Sequence, residues 1–184
     1  TVSGPITKNY TYDAAGNPKS DGQTTFTWNA GGKLASTLRS GKIHTYKTNA
    51  FDQRISKHGP LSQRFFFFYD STGQLIGEYR NNAETTTPTD DWLVRQETVW
   101  LGDIPVTVIK KPTATSTIQL YYVYADHLNT PRVIVNSRNT TIWRWDNVHA
   151  FGANLPFEDP DNDGQTFEYN SRFPGQYFDK ETNL

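Results

Sequence analysis

One phrase recurs in the first eighty residues and limits what the chain can fold into: an aromatic pair, an acid or its amide, and a glycine at fixed offsets. The copies are Tyr10, Tyr12, Asp13, Gly16; Phe26, Trp28, Asn29, Gly32; Tyr46, Thr48, Asn49, Asp52; and Phe67, Tyr69, Asp70, Gly73, with the acid or amide stepping by 16, 20 and 21 residues. Side chains at i and i+2 leave a β-strand on the same face, so each aromatic pair marks one side of a ribbon. An Asp or Asn that opens a turn accepts from the backbone two positions on. The glycine three later takes the left-handed conformation that a type I turn plus bulge requires. Each copy therefore predicts a β-hairpin. The third is degraded, with Thr48 in an aromatic slot and Asp52 in the glycine slot, where Asp is tolerated. An isolated hairpin is barely stable in water, so such units must stack and bury rings between neighbours.

The rest of the composition agrees with an all-β fold. Aromatics make up 14% of the 184 residues, and ring and β-branched side chains fit a pleated surface better than a helix. A length of 184 corresponds to roughly one or two domains. No stretch approaches the roughly 18 to 20 apolar residues of a membrane span, and residues 1–20 lack the basic and apolar regions of a signal peptide. The sequence has no Met and no Cys. The first predicts a piece of a longer protein; the second excludes disulfides and thiolate metal sites. A net charge of -1 argues against wholesale nucleic-acid binding. The charge is nonetheless uneven: Lys33, Arg39, Lys42, Lys47, Arg54, Lys57 and Arg64 are balanced in their stretch only by Asp52. That run reads as a solvated strand face or as a lining matched to an acidic cargo.

Three further patterns bear on chemistry. DPDNDG puts Asp159, Asp161 and Asp163 at alternate positions before Gly164, as an EF-hand loop begins. The twelfth position is then Asn170 instead of a bidentate Glu, and no helix is signalled on either side, so a solvated acidic turn is the reading favoured over a Ca²⁺ site. In ADHLNTPR, Asp126 and His127 with Arg132 resemble a carboxylate orienting an imidazole. No G-x-S-x-G and no cysteine accompanies them. Leu128 to Pro131 predicts a turn, with Asp126 and His127 bonding to backbone around it. His44, His58 and His149 have no metal-ligand spacing. Rows of rings on a sheet can also stack on sugars or single-stranded bases, although repeated rings more commonly form packing.

The breaks divide the chain into hairpin repeats over 1–80, an exposed polar loop over 81–91 and a second β-rich part over 92–184, the two parts packing as one body. Trp92 to Ile109 and Ile118 to Tyr124 predict strands, joined by a loop at 110–117. Val133 to Asn136 and Thr141 to Trp145 predict a hairpin closed by Ser137 to Thr140. Residues 150–184, rich in Pro, Gly, Asn and Asp, predict an irregular segment that covers or plugs.

YTYDAAGN, FTWNAGGK and FFYDSTGQ resemble the YD repeats of Rhs (rearrangement hotspot) proteins. WLGDIPV at 100–106, YYVYADHLNTPRVIVN at 121–136, IWRWDNVHAFG at 142–152 and RFPGQYFDKETNL at 172–184 resemble, in order, the bacterial Rhs-associated core of polymorphic toxins. Asp126, His127, Pro131 and Arg132 belong to the core phrase. This resemblance implies YD hairpins forming part of a spiralling sheet or shell, with 92–184 as the N-terminal portion of the core. It implies a structural, non-enzymatic role without cofactors: enclosing or presenting a C-terminal toxin for delivery to competing cells. The implied partners are the remainder of the shell, the toxin and components of a type VI secretion spike, with neither nucleic acid nor a membrane span. The implied location is bacterial, cytoplasmic before export and then secreted or at the cell surface. Relatives that cut themselves do so near a DPxGL motif, which does not occur in these 184 residues. The alternative function is a carbohydrate-binding module using the aromatic rows.

Overall fold

The computed structural model describes residues 8–61, 63–81, 92–113, 115–146, 148–149, 152 and 154–183. Most of the loop expected at 81–91 lies outside them. Thirteen strands and no helix occur among the described residues. They are β1 (Thr11–Tyr12), β2 (Pro18–Ser20), β3 (Thr24–Trp28), β4 (Leu34–Arg39), β5 (Lys42–Thr48), β6 (Arg54–His58), β7 (Arg64–Tyr69), β8 (Leu75–Asn81), β9 (Trp92–Leu101), β10 (Ile104–Lys110), β11 (Gln119–Ala125), β12 (Pro131–Val135) and β13 (Thr141–Arg144). Their order in the sheet is their order in the chain, each strand antiparallel to the next, and the sheet is open and not closed into a barrel. Such a meander needs only short connections. Ser40 (φ 50°) and Gly41 (φ 74°) join β4 to β5 in a two-residue turn that sets Arg39 opposite Lys42.

The chain divides into two compact units: Thr1–Phe67 with Tyr79–Trp92 and Lys180–Asn183, and Phe68–Glu78 with Leu93–Asp179. In the first, strand alternation selects the core face. Thr24 and Phe26 are buried while Thr25 and Thr27 are exposed on β3. Phe26, Tyr46 and Phe67, the first ring of three repeats, are all buried. Thr37 on β4, also buried, shares a 3.1 Å hydrogen bond with the Tyr46 hydroxyl.

In the second unit one face of β10 to β13 carries Val108, Val123, Ile134 and Trp143. The register places Val123 opposite Ile134 and Ile134 opposite Trp143. Phe167, Tyr169 and Phe173, from a segment without strands, cover that face. Phe167 meets Tyr121 at 4.7 Å, Tyr169 meets Trp143 at 5.4 Å and Phe173 meets Trp145 at 5.3 Å between ring centroids, each pair edge to face. The irregular segment thus supplies the second layer that a one-faced sheet needs. The expected single strand Trp92 to Ile109 is instead two strands. Gly102 (φ 58°) turns the chain, and Ile104 then pairs back onto Leu101.

Candidate functional site

The repeat residues build one turn, many times over. Asp13 Oδ1 accepts from the backbone N–H of Ala15 (2.9 Å) and Asn17 (2.8 Å), and the Gly16 N–H closes onto the Asp13 carbonyl at 3.1 Å. Asn29, Asn49 and Asp70 repeat all three bonds on Gly31, Lys33 and Gly32; on Phe51, Gln53 and Asp52; and on Thr72, Gln74 and Gly73. Gly16, Gly32, Asp52 and Gly73 all have positive φ, as the turn requires. Hydrogen bonds hold two of the turn carboxylates below their ordinary range: chiefly the Asn17 side chain at Asp13, and the Thr72 side chain at Asp70.

The turns expected after Asp126 and at Ser137 to Thr140 prove to be two further copies of the same turn. Asp126 accepts from Leu128 and Thr130, and Asn136 accepts from Arg138 and Thr140. Asn129 (φ 61°) and Asn139 (φ 60°) occupy the left-handed position. The available signal was Asp or Asn followed three residues later by Asn, since Asn is the side chain that best replaces Gly at positive φ.

This geometry decides what Asp126, His127, Pro131 and Arg132 do. One Asp126 oxygen is held by the turn, and the other lies 4.0 Å from Arg132 Nε. Arg132 also donates to the Asp146 carbonyl, and Pro131 is buried. His127 is exposed, and among the described residues it makes no hydrogen bond; the expected backbone bond forms at Asp126 alone. The Asp126 carboxylate thus caps the turn and faces Arg132, and among the described residues it does not bond the His127 imidazole.

The carboxylates of Asp159, Asp161 and Asp163 gather within 4.8 Å of one another. Asp159 accepts from the Asp163 and Gly164 N–H groups, and Asp163 from Gln165, so two of the three are already loop caps. Asn170 is buried and donates to Glu168 and Tyr177, away from the twelfth-position role of a Ca²⁺ loop.

A feature with no sequence signal is a buried ionic cluster in the second unit. Tyr177 donates to Glu78 at 2.9 Å, Arg95 lies 3.7 Å from Glu78 and pairs with Glu168, and Lys110 donates to the Glu168 carbonyl with its ammonium 3.9 Å from the Phe167 ring centre. Burial, aided by Arg95, pushes the Lys110 ammonium down to about 8 against the pull of Glu78, Glu168 and Glu158. Burial also pushes the Tyr177 and Tyr169 hydroxyls up. These groups fasten the irregular segment to β8, β9 and β10.

Beside this cluster's strands, a groove of about 430 Å³ runs past Asp70, Gln74, Trp100 and Asp103. Its polar groups serve each other: Gln74 donates to the Gly102 carbonyl (2.8 Å) and Asp103 (3.1 Å), and the Trp100 indole donates to the Leu75 carbonyl (3.1 Å). Across the described residues the functional elements are thus six equivalent turns, two one-sided faces and a fastened cover. Compared with known proteins, the chain matches no family model and no curated protein.

Proposed function

We propose that the chain is a non-enzymatic structural element, part of an Rhs-type β-shell that encloses or presents a C-terminal toxin for delivery to competing cells. The observation that carries this reading is the sixfold use of one turn in a sheet whose strands follow chain order. A meander of this kind grows by adding similar hairpins without rearranging those already present, which suits a wall of arbitrary length. An open meander ends in edge strands, which call for neighbours, and on β13 the segment at Phe157 already bonds to the edge at Arg144. The partners in this reading are the rest of the shell, its toxin and type VI spike components, and the parent protein is exported from a bacterial cytoplasm.

The test is cross-linking in producing cells followed by mass spectrometry. The reading expects links from Lys8 and Lys19, beside the first strands, to further aromatic-Asp-x-x-Gly sequences or to a toxic domain. Links confined to unrelated proteins, or none, would reject it. A second reading, sugar binding, rests on Tyr12, whose ring is 58% exposed and stacked 6.3 Å from Tyr10. A glycan array with saturable binding lost in Tyr12→Ala would favour it.

A further inference from the structure

Strands β3 to β7 contain Arg39, Lys42, Lys47, Arg54, Lys57 and Arg64, and not one carboxylate. The first unit treats its two sheet faces differently. On the core face three of the cations have partners, Lys57 pairing with Glu181 at 3.0 Å, Arg39 donating to the Thr182 carbonyl and to Gln23 (2.9 Å), and Arg54 stacking on Tyr46 at 4.8 Å, while Lys42, opposite Arg39 at the strand end, is exposed. A distant segment, 180–183, brings the carboxylate that the strands lack.

On the opposite face no carboxylate pairs with a strand cation among the described residues. The register sets Thr45 opposite His58 and His58 opposite Arg64, with Lys47, Ser56 and Phe66 forming the next row. His58 and Arg64 are therefore directly opposed cations on paired strands whenever His58 is protonated, an arrangement that destabilises a sheet. Lys47 and Arg64 are exposed, and among the described residues neither has an ion pair. Burial, with Arg64 and Lys47 adding to it, holds the His58 imidazole below its ordinary value, as expected where cations converge without a carboxylate. Beside this cluster Leu38 and Ile43 lie opposite one another, both exposed, with the hydroxyls of Ser36 and Thr45 adjoining.

We propose that this face of β4 to β7 docks an acidic polypeptide segment, its carboxylates meeting Lys47, His58 and Arg64 while apolar side chains rest on Leu38, Ile43 and Phe66. Glu181 on the other face shows the chemistry by which this unit accepts a covering chain. A polynucleotide fits less well. The fixed cations number two, Lys47 and Arg64, and the repeat rings Phe26, Tyr46 and Phe67 that could stack on bases are buried on the other side. The inference concerns the surface itself and does not depend on the shell reading.

The experiment titrates the full chain with a fluorescein-labelled heptapeptide of alternating glutamate and leucine, followed by anisotropy and by amide shifts in an NMR spectrum. Saturable binding is expected, with shifts concentrated in 43–47 and 56–66. It should weaken by about tenfold or more in Lys47→Gln/Arg64→Gln, because partner charges act at close range, and by less than about twofold in the control Lys19→Gln/Lys111→Gln. Leu38→Gln/Ile43→Gln should also weaken it, and circular dichroism verifies that each variant is folded. Absence of saturable binding, an equal loss in the control, or tighter binding of a labelled oligothymidylate lost in the same double variant would overturn the proposal.

Discussion

Raising the pH from 7 to 9 should strengthen the second unit, against the usual expectation for a protein moving away from neutrality. Lys110 is the cause. Its ammonium is enclosed by Phe167 and the Glu168 carbonyl and titrates at about 8, against 10.5 for an unhindered lysine. A group depressed in the folded state contributes stability that is full above its unfolded value and lost as pH falls through its folded value. Between pH 8 and 10.5 the folded chain has released a proton that the unfolded chain retains, so stability rises with pH. At about 1.4 kcal/mol per tenfold change in proton affinity, the whole gap is worth ~3 kcal/mol, and the portion gained between pH 7 and 9 is about 1 kcal/mol once partial solvent access is allowed for. Tyr177 and Tyr169 act in the opposite sense, because their hydroxyls are raised, but only as pH passes 10. The assay is urea unfolding followed by tryptophan fluorescence at pH 7, 8 and 9, on the natural chain and on Lys110→Met. Methionine keeps the volume and removes the charge, so its curve should stay flat over this range. Equal slopes in the two proteins would refute the reasoning.

Other perturbations probe the remaining parts of the account. Gly152→Ala places a Cβ 3.0 Å from the Trp145 ring and 3.1 Å from Phe173 at a φ of 70°, and should cost more than about 1 kcal/mol in the same urea assay. Asp70→Ala removes the acceptor for the Thr72 and Gln74 N–H groups and should lower the urea midpoint. Because hydrogen bonds, chiefly from the Thr72 side chain, hold Asp70 below its ordinary value of 3.8, that contribution is present above pH 3.8 and fades as pH falls through the lower, folded value; the natural chain and Asp70→Ala should converge in strong acid. Glu181→Gln leaves the largely buried Lys57 ammonium without its counter-charge and should cost about 1–3 kcal/mol, read by chemical denaturation, while Lys57→Met/Glu181→Leu should recover most of the loss.

The hairpins were legible because their chemistry is local. An Asp or Asn acceptor and a left-handed position three residues on are sufficient to specify the turn, and Gly16, Gly32, Asp52 and Gly73 behave accordingly. At Asp126 and Asn136 a turn is legible but its identity with the repeat is not, because Asn129 and Asn139 stand in the glycine slot. Ala125 displaces the aromatic pair before Asp126, with a register shift beside it, and Val133 and Val135 replace rings before Asn136. The run from Trp92 to Ile109 looked unbroken because its only turn signal, Gly102-Asp103, is two residues long. What local pattern cannot convey is which distant segment supplies a missing charge. Glu181 meets Lys57 across 124 residues, and Tyr177 meets Glu78 across 99. Those contacts follow from the path of a segment without strands, for which neither a period of two nor one of 3.6 exists to be read.

Light scattering combined with small-angle X-ray scattering, over a wide range of protein concentration, tests the central claim most directly. If the chain is a slice of a sheet that expects neighbours, its mass should be a multiple of the single chain or climb with concentration, and a proline introduced at the exposed Thr11 in the first strand should reduce it. A compact particle of one chain at every concentration, unaltered by that proline, would contradict the account and identify a self-sufficient module.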